Sequence, residues 1–196
     1  MAETASTPLN LFGLDRAGLR ACFAEMGEKP FRADQVMQWI YRRTADDFDL
    51  MTNISKDLRT KMKERFVIQH PEQIAEQTSQ DGTRKWVLRL DGGNAIETVF
   101  IPEDDRGTLC ISSQVGCAMD CSFCSTAQQG LNRNMTTAEI VAQVWFAARA
   151  LGGDFQNERV ISNVVFMGMG EPLANTAAVL PAIHIRKIST TPMVNG

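Results

Sequence analysis

Thr108-Leu-Cys110-Ile-Ser-Ser-Gln-Val-Gly-Cys117-Ala-Met-Asp-Cys121-Ser-Phe-Cys124 is a short apolar run that passes directly into a loop holding three cysteines. Thr108 to Ser113 predicts a strand, and the cysteine loop then leaves its C-terminal end. The CxxxCxxC spacing lets three thiolates converge on one soft-metal centre. No cysteine follows Cys124, so one metal position stays open, and open positions are where chemistry happens. The spacing favours a 4Fe-4S cluster with three capped irons and one iron free for a small molecule. Zinc is the competitor, since His70 or His184 would complete a Cys₃His shell, but neither histidine has a short, regular spacing to the cysteines. A purely structural cluster suits three ligands less well than four.

Downstream the grammar is β-loop-α-β. Thr136-Thr-Ala-Glu139 is a capping box, opening a helix with Ile140, Val144, Trp145 and Leu151 inward. Val160 to Met167 is a nearly unbroken apolar run, as expected for a strand covered on both faces. A right-handed crossover sets the two strands parallel and adjacent. Their C-terminal ends then share one face, and the cysteine loop becomes a neighbour of Gly168-Met-Gly-Glu171-Pro172. In barrel-type α/β folds that face carries the active site.

Upstream lies a small helical module. Asp15 caps a helix with Leu19, Cys22, Phe23 and Met26 on one stripe and Gly27 as its stop. A second helix follows Lys29-Pro30 with Val36, Trp39 and Ile40, and Ser55 opens a third with Leu58, Met62 and Phe66. The period then shortens. Ile74 to Thr78, Lys85 to Leu90 and Ala95 to Pro102, joined by Asp81-Gly82 and Asp91-Gly92-Gly93, predict an antiparallel meander. Glu103-Asp-Asp-Arg-Gly107 is a charged hinge. The fold class is therefore α/β, a helical module and a β meander preceding a parallel β-loop-α-β unit. The expected divisions are 1–70, 71–103 and 104–196.

A net charge of −3 confines any nucleic-acid surface to a local patch. Met1 to Asn10 lacks the basic and apolar regions of a signal peptide, and no run approaches the roughly 18 apolar residues of a membrane span. Five cysteines, an odd number, suit a reducing cytoplasm. Neither a membrane nor DNA is expected as a partner.

Four further features bear on chemistry. Glycines after a buried strand let backbone approach a ligand, and Glu171 can accept from an ammonium group. Read alone, that motif is more simply a tight turn with a solvated glutamate. Cys110, within a strand, is by default inert core. Glu97 shares a strand face with Ala95, Val99 and Ile101, and burial there would suit it to proton abstraction; a frayed, solvated strand position is the equally ordinary account. Lys56, Arg59, Lys61, Lys63 and Arg65 form a local positive surplus against Asp57 and Glu64, able to track a phosphate backbone or simply to face solvent.

Together these blocks resemble a known family. The cysteine spacing resembles the radical S-adenosylmethionine signature. Five blocks resemble the RlmN family of RNA methyltransferases: Gly27 to Val36, Ile101 to Asp105, Ser112 to Cys117, Cys124 to Gly130, and Met167 to Leu173. The resemblance implies that the β-loop-α-β unit starts a radical-SAM core, a partial (β/α) barrel, with a cluster on Cys117, Cys121 and Cys124 and S-adenosylmethionine held at its amino end by Glu171 and Pro172. It implies a 5′-deoxyadenosyl radical and methylation of adenine C2 through a methyl-cysteine and a protein–RNA crosslink. Cys110 would resolve that crosslink, Glu97 would accept the proton, and an electron donor would reduce the cluster. The implied substrates are 23S rRNA and tRNA, gripped in part by the helical module. A relative acting on adenine C8 and a non-catalytic RNA-binding remnant are the alternatives. The chain departs from the family pattern beyond Asn175. It lacks the methyl-carrying cysteine, and Thr108 to Gly196 is short for a six-unit partial barrel, so a truncated product is expected.

Overall fold

The computed structural model describes residues 7–104, 106–152 and 160–190. Asp105 of the charged hinge and residues 191–196 of the tail lie outside the described residues.

The helical module forms where the sequence caps it. Asp15 Oδ1 accepts the Gly18 N–H at 2.7 Å and opens α1 (Arg16–Glu25), which buries Leu19 and Phe23. Gly27 ends it at φ +74°, a conformation other residues adopt only with strain. Pro30 starts α2 (Pro30–Arg42), whose Ala33, Val36, Met37 and Ile40 turn inward. Ser55 accepts from the Leu58 N–H and opens α3 (Lys56–Arg65). Phe66 follows in a two-residue strand β2 (Phe66–Val67), parallel to β1 (Leu9–Asn10), and stacks on Phe23.

One sheet organises the rest. Its strands are β3 (Glu72–Thr78), β4 (Arg84–Arg89), β5 (Ala95–Pro102), β6 (Gly107–Cys110) and β9 (Asn163–Val165), adjacent in that order. The first three pairings are antiparallel, giving the expected meander, and β6 lies parallel to β9. The charged segment is the turn between β5 and β6, so meander and parallel pair are one continuous surface. Between β6 and β9 run a small antiparallel ribbon, β7 (Gln114–Gly116) and β8 (Leu131–Asn134), with the short helix α4 (Ser125–Gln128) inside it, and then α5 (Thr137–Ala150).

The Thr136–Glu139 capping box is present, and α5 covers one face of the sheet, where Trp86, Leu88, Ile96, Phe100 and Leu109 are buried. Trp86 meets Phe146 edge-on at 5.8 Å. On its other side α5 carries the helical module: Trp145 Nε1 donates to the Ile40 carbonyl at 2.8 Å, and its ring packs on Phe12 and His70. The hydrophobic core is thus shared, with Trp145 at the junction. Beyond β9, α6 (Thr176–Thr190) buries Val179, Ala182 and Ile185 despite Pro181.

Two strands are shorter than the sequence predicts. β6 ends at Cys110 rather than Ser113, because the Ser112 peptide is taken over by a side chain: Gln143 Oε1 accepts its N–H and Nε2 donates to its carbonyl, both at 2.9 Å. β9 spans Asn163–Val165 rather than Val160 to Met167, since β6, its one neighbour in the sheet among the described residues, offers four residues. Among the described residues it is not covered on both faces: Asn163 is exposed, and Val164 and Val165 are only half-buried. Among the described residues no helix is long and apolar enough to cross a membrane.

Candidate cofactor site at the ends of β6 and β9

Parallel pairing of Cys110 with Val165 sends both chains out of the sheet at the same end. There they cross. Gly168 N–H donates to the Ile111 carbonyl at 3.1 Å, and Ser113 and Gln114 N–H both donate to the Met169 carbonyl. The expected meeting of cysteine loop and Gly168–Pro172 turn is therefore present, as a backbone crossing. A Cβ on Gly168 would stand 2.8 Å from the Ile111 carbonyl group, and one on Gly170, at φ +92°, would collide with Gln114. These glycines admit the neighbouring strand, which corrects the expectation that they open the backbone to a ligand.

The cysteine loop closes on itself. Cys117 N–H donates to the Gly130 carbonyl at 3.1 Å, and a side chain on Gly116, at φ +76°, would strike that same carbonyl. Cys117, Cys121 and Cys124 are free, half-buried thiols. Cys117 Sγ accepts the Met119 N–H at 3.4 Å. The backbone N–H groups of Ala127 and Thr126 face Cys124 and hold its thiol below the usual range. Among the described residues no three His, Cys, Asp or Glu side chains surround a common point, so the loop presents its sulfurs without preassembling them. Three soft donors within eight residues, two receiving amide N–H groups, fit an iron–sulfur cluster. The Cys₃His zinc shell loses its histidine: His70 stacks on Trp145, and His184 lies 3.6 Å from Asp15.

Glu171 begins a 3₁₀ turn (Pro172–Asn175), with Pro172 at its first position, and its Oε1 accepts the Leu173 N–H at 3.0 Å. Cys110 is half-buried at the end of β6; burial pushes its thiol up, opposed by the Met167 backbone N–H. Opposite it stands Val99, and Glu97 lies two residues along on the same face, away from α5. Cys110 and Glu97 thus share an open sheet face. Glu97 is not buried as expected: its side chain is 47% exposed, with the Lys85 ammonium at 3.1 Å. That face lacks a covering layer among the described residues, so its apolar neighbours do not enclose it.

The positive surplus on α3 is largely spent. Lys63 and Arg59 reach Asp49, Lys61 reaches Glu28, and Arg65 pairs with Glu25, which leaves Lys56. Among the described residues, cations without a carboxylate partner gather instead around α2: Lys29, Arg32, Arg42 and Arg43. Arg32 lies 4.8 Å from the Phe31 ring and Arg43 4.2 Å from Trp39.

Sequence reasoning missed the buried amides beneath the site. Gln143, Gln114 and Asn175 are all buried. Asn175 Nδ2 donates to the Ser113 and Met135 carbonyls, and Ser112 Oγ bridges the Glu97 carbonyl and the Met169 N–H. The run Ser112-Ser113-Gln114, polar between a strand and the cysteine loop, was the available signal.

Residues 9–68 match the model of the ribosomal RNA large subunit methyltransferase N-terminal domain, RlmN_N. A protein of Alkalilimnicola ehrlichii named dual-specificity RNA methyltransferase RlmN is 59% identical over 90% of this chain and 48% of its own length. One of the same name from Marinobacter nauticus is 55% identical over 92% and 49%. The chain carries the RlmN N-terminal domain over residues 9–68 and is similar along most of its length to proteins named RlmN. Its fold is that of a solved radical SAM methyltransferase from Sphaerobacter thermophilus, with TM-score 0.83 and 41% identity over 91% of this chain and 52% of that one. The RlmN helical domain therefore corresponds to α1–α3 here, and the chain spans about half the length of the curated relatives it matches.

Proposed function

We propose that this chain carries the cofactor-binding half of a radical S-adenosylmethionine RNA methyltransferase acting on C2 of an adenosine in 23S rRNA and in tRNA. The observation that carries the reading is the crossing at the ends of β6 and β9, which joins a three-thiol loop to the Glu171-Pro172 turn. Cys117, Cys121 and Cys124 would hold a 4Fe-4S cluster, and Glu171 with Pro172 would receive the amino end of S-adenosylmethionine. When bound and reduced by an electron donor, the cluster supplies the electron that cleaves S-adenosylmethionine.

The chain's own residues then have separate tasks. The amide N–H groups of Ala127 and Thr126 stabilise charge on the Cys124 sulfur, and the Met119 N–H orients the Cys117 sulfur. Glu97, on an open face beside Lys85, is reachable as a proton acceptor. Cys110, half-buried on the same open face as Glu97, would resolve a protein–RNA crosslink as its thiolate, forming a disulfide with the crosslinked cysteine as that cysteine's carbon–sulfur bond to the RNA adduct breaks. Burial favours the thiol, so a base must first take its proton. The helical module, proposed as residues 1–70, would contact RNA through α2, where Arg42 and Arg43 lack a carboxylate partner among the described residues and can meet phosphates, Arg43 from its place over Trp39, while the exposed Phe31 ring can meet a base. The meander (71–103) and the core (104–196) complete the proposed division, in a cytoplasmic protein.

Anaerobic reconstitution followed by iron and sulfide analysis tests the cofactor reading; a colourless, zinc-loaded protein refutes it. For the RNA surface, replacing Arg42 and Arg43 by Ala is expected to weaken stem-loop binding roughly tenfold and flatten its salt dependence by about one to two phosphate contacts. Replacing Lys61 and Lys63, already ion-paired, should change it less. Equal losses from both pairs would refute α2 as the contact.

A further inference from the structure

Gln114 is fully buried in β7, and its side-chain amide is used at both ends. Oε1 accepts the Glu171 N–H at 2.9 Å and the N–H of Ala118, next to Cys117, at 3.3 Å. Nε2 donates to Asn134 Oδ1 on β8 at 2.7 Å, which fixes the amide's orientation. Its backbone N–H donates to Met169, and Gly170 sits so close that any side chain there would strike Gln114. A single carbonyl oxygen has two lone pairs. Here one serves the cysteine loop and the other the Glu171 turn.

We propose that Gln114 is a positioning residue that sets the spacing between the cysteine loop and the Glu171 turn. The cluster-binding and S-adenosylmethionine-binding segments are then held as one unit. This rests on the cofactor reading above. The physical case is that two polar groups from segments far apart in sequence share one buried acceptor, so neither can shift without breaking the other's bond. Displacements of an ångström are enough to matter where a ligand must meet a metal centre. The rest of the crossing is held independently, Ser112 by Gln143 and Ser113 by Asn175, so loss of Gln114 should loosen these two contacts locally.

The test uses Gln114→Met, which keeps the shape and removes the oxygen, and Gln114→Glu, which keeps the oxygen. In the metal-free chain, hydrogen exchange at the Ala118 and Glu171 amides should accelerate at least tenfold in Gln114→Met. Exchange at Leu109 should be unchanged, and Gln114→Glu, which keeps the acceptor but loses the donor to Asn134, should accelerate exchange less than Gln114→Met. In the anaerobically reconstituted chain, the S-adenosylmethionine concentration that half-converts the cluster's electron paramagnetic resonance signal should rise about tenfold in Gln114→Met. Iron content and the ligand-free signal should not change, and Gln114→Glu should recover most of the affinity. If Gln114→Met does not fold, Asn134→Ala frees the amide and should shift the titration about threefold in the same direction. Unchanged exchange at both amides, or superimposable titrations at full cluster content, overturns the proposal. A wild-type chain that takes up no cluster overturns the cofactor reading, and exchange alone then decides whether Gln114 couples the two segments.

Discussion

The helical module and the outer end of the sheet follow opposite rules. In α1–α3 the apolar side chains point inward and most surface cations have carboxylate partners, as ordinary folding physics demands. At the ends of β6 and β9 the buried groups are polar: Ser112, Ser113, Gln114 and Asn175. The exposed ones are apolar, with Phe123 89%, Met167 80% and Leu173 80% open to solvent. One region holds itself together by excluding water. The other spends its interior hydrogen bonds on keeping two loops in place. A region that breaks local rules while satisfying its buried amides is where function is expected.

That contrast predicts separable damage. Replacing Cys117, Cys121 and Cys124 together by Ala should abolish iron uptake and leave the melting transition of the metal-free chain nearly unmoved; a large loss of metal-free stability would break the distinction. Trp145→Ala should do the reverse, costing about 3–5 kcal/mol through its cavity and lost donor to Ile40. Denaturant melts followed from both regions would show them failing together, because Trp145 joins them.

The capping box offers a sharper probe. Burial works against the charge of Glu139, but the Arg133 hydrogen bond and the Thr136 backbone N–H outweigh it and hold the carboxyl below its usual range. A depressed folded-state value means stability that is present above the usual glutamate range and is lost as pH falls through the folded value. Glu139→Gln should therefore cost about 1–2 kcal/mol near pH 7. The difference from wild type should shrink as pH drops below roughly 4, measured by urea unfolding across pH. The smallest effect concerns thiols: at neutral pH in the metal-free chain, Cys124 should alkylate several-fold faster than Cys110, the gap closing as pH rises. Equal rates at pH 7, read by mass spectrometry of labelled peptides, would contradict that ordering.

Much of this molecule is legible where one short signal determines one element. Asp15, Ser55 and Thr136 each cap a helix where the sequence places it, and the Asp-Gly turns set the meander. The parallel pairing of β6 with β9 follows from connection rules alone, and with it the meeting of the two motifs. Strand lengths are not legible, because a strand extends only as far as its neighbour, and β6 is cut short by Gln143 on a helix more than thirty residues away. The β7–β8 ribbon escapes notice because Gln114 and Asn134 are polar on both strands. α6 is masked by Pro181, whose lost bond is tolerated because Val179, Ala182 and Ile185 still find the core. The surplus on α3 misleads because pairing of charges depends on tertiary neighbours such as Asp49 and Glu28.

The two margins of the sheet differ in what they permit. β3 is exposed along its whole length and carries Glu72 and Glu76, each tied to an arginine of β4, so a foreign strand laid there would meet fixed charge. β9 ends the other side with Asn163, Val164 and Val165 and no charge at all. Growth of this sheet is therefore vectorial: among the described residues, fixed charge guards the β3 flank and none guards β9, so an added strand is favoured at β9.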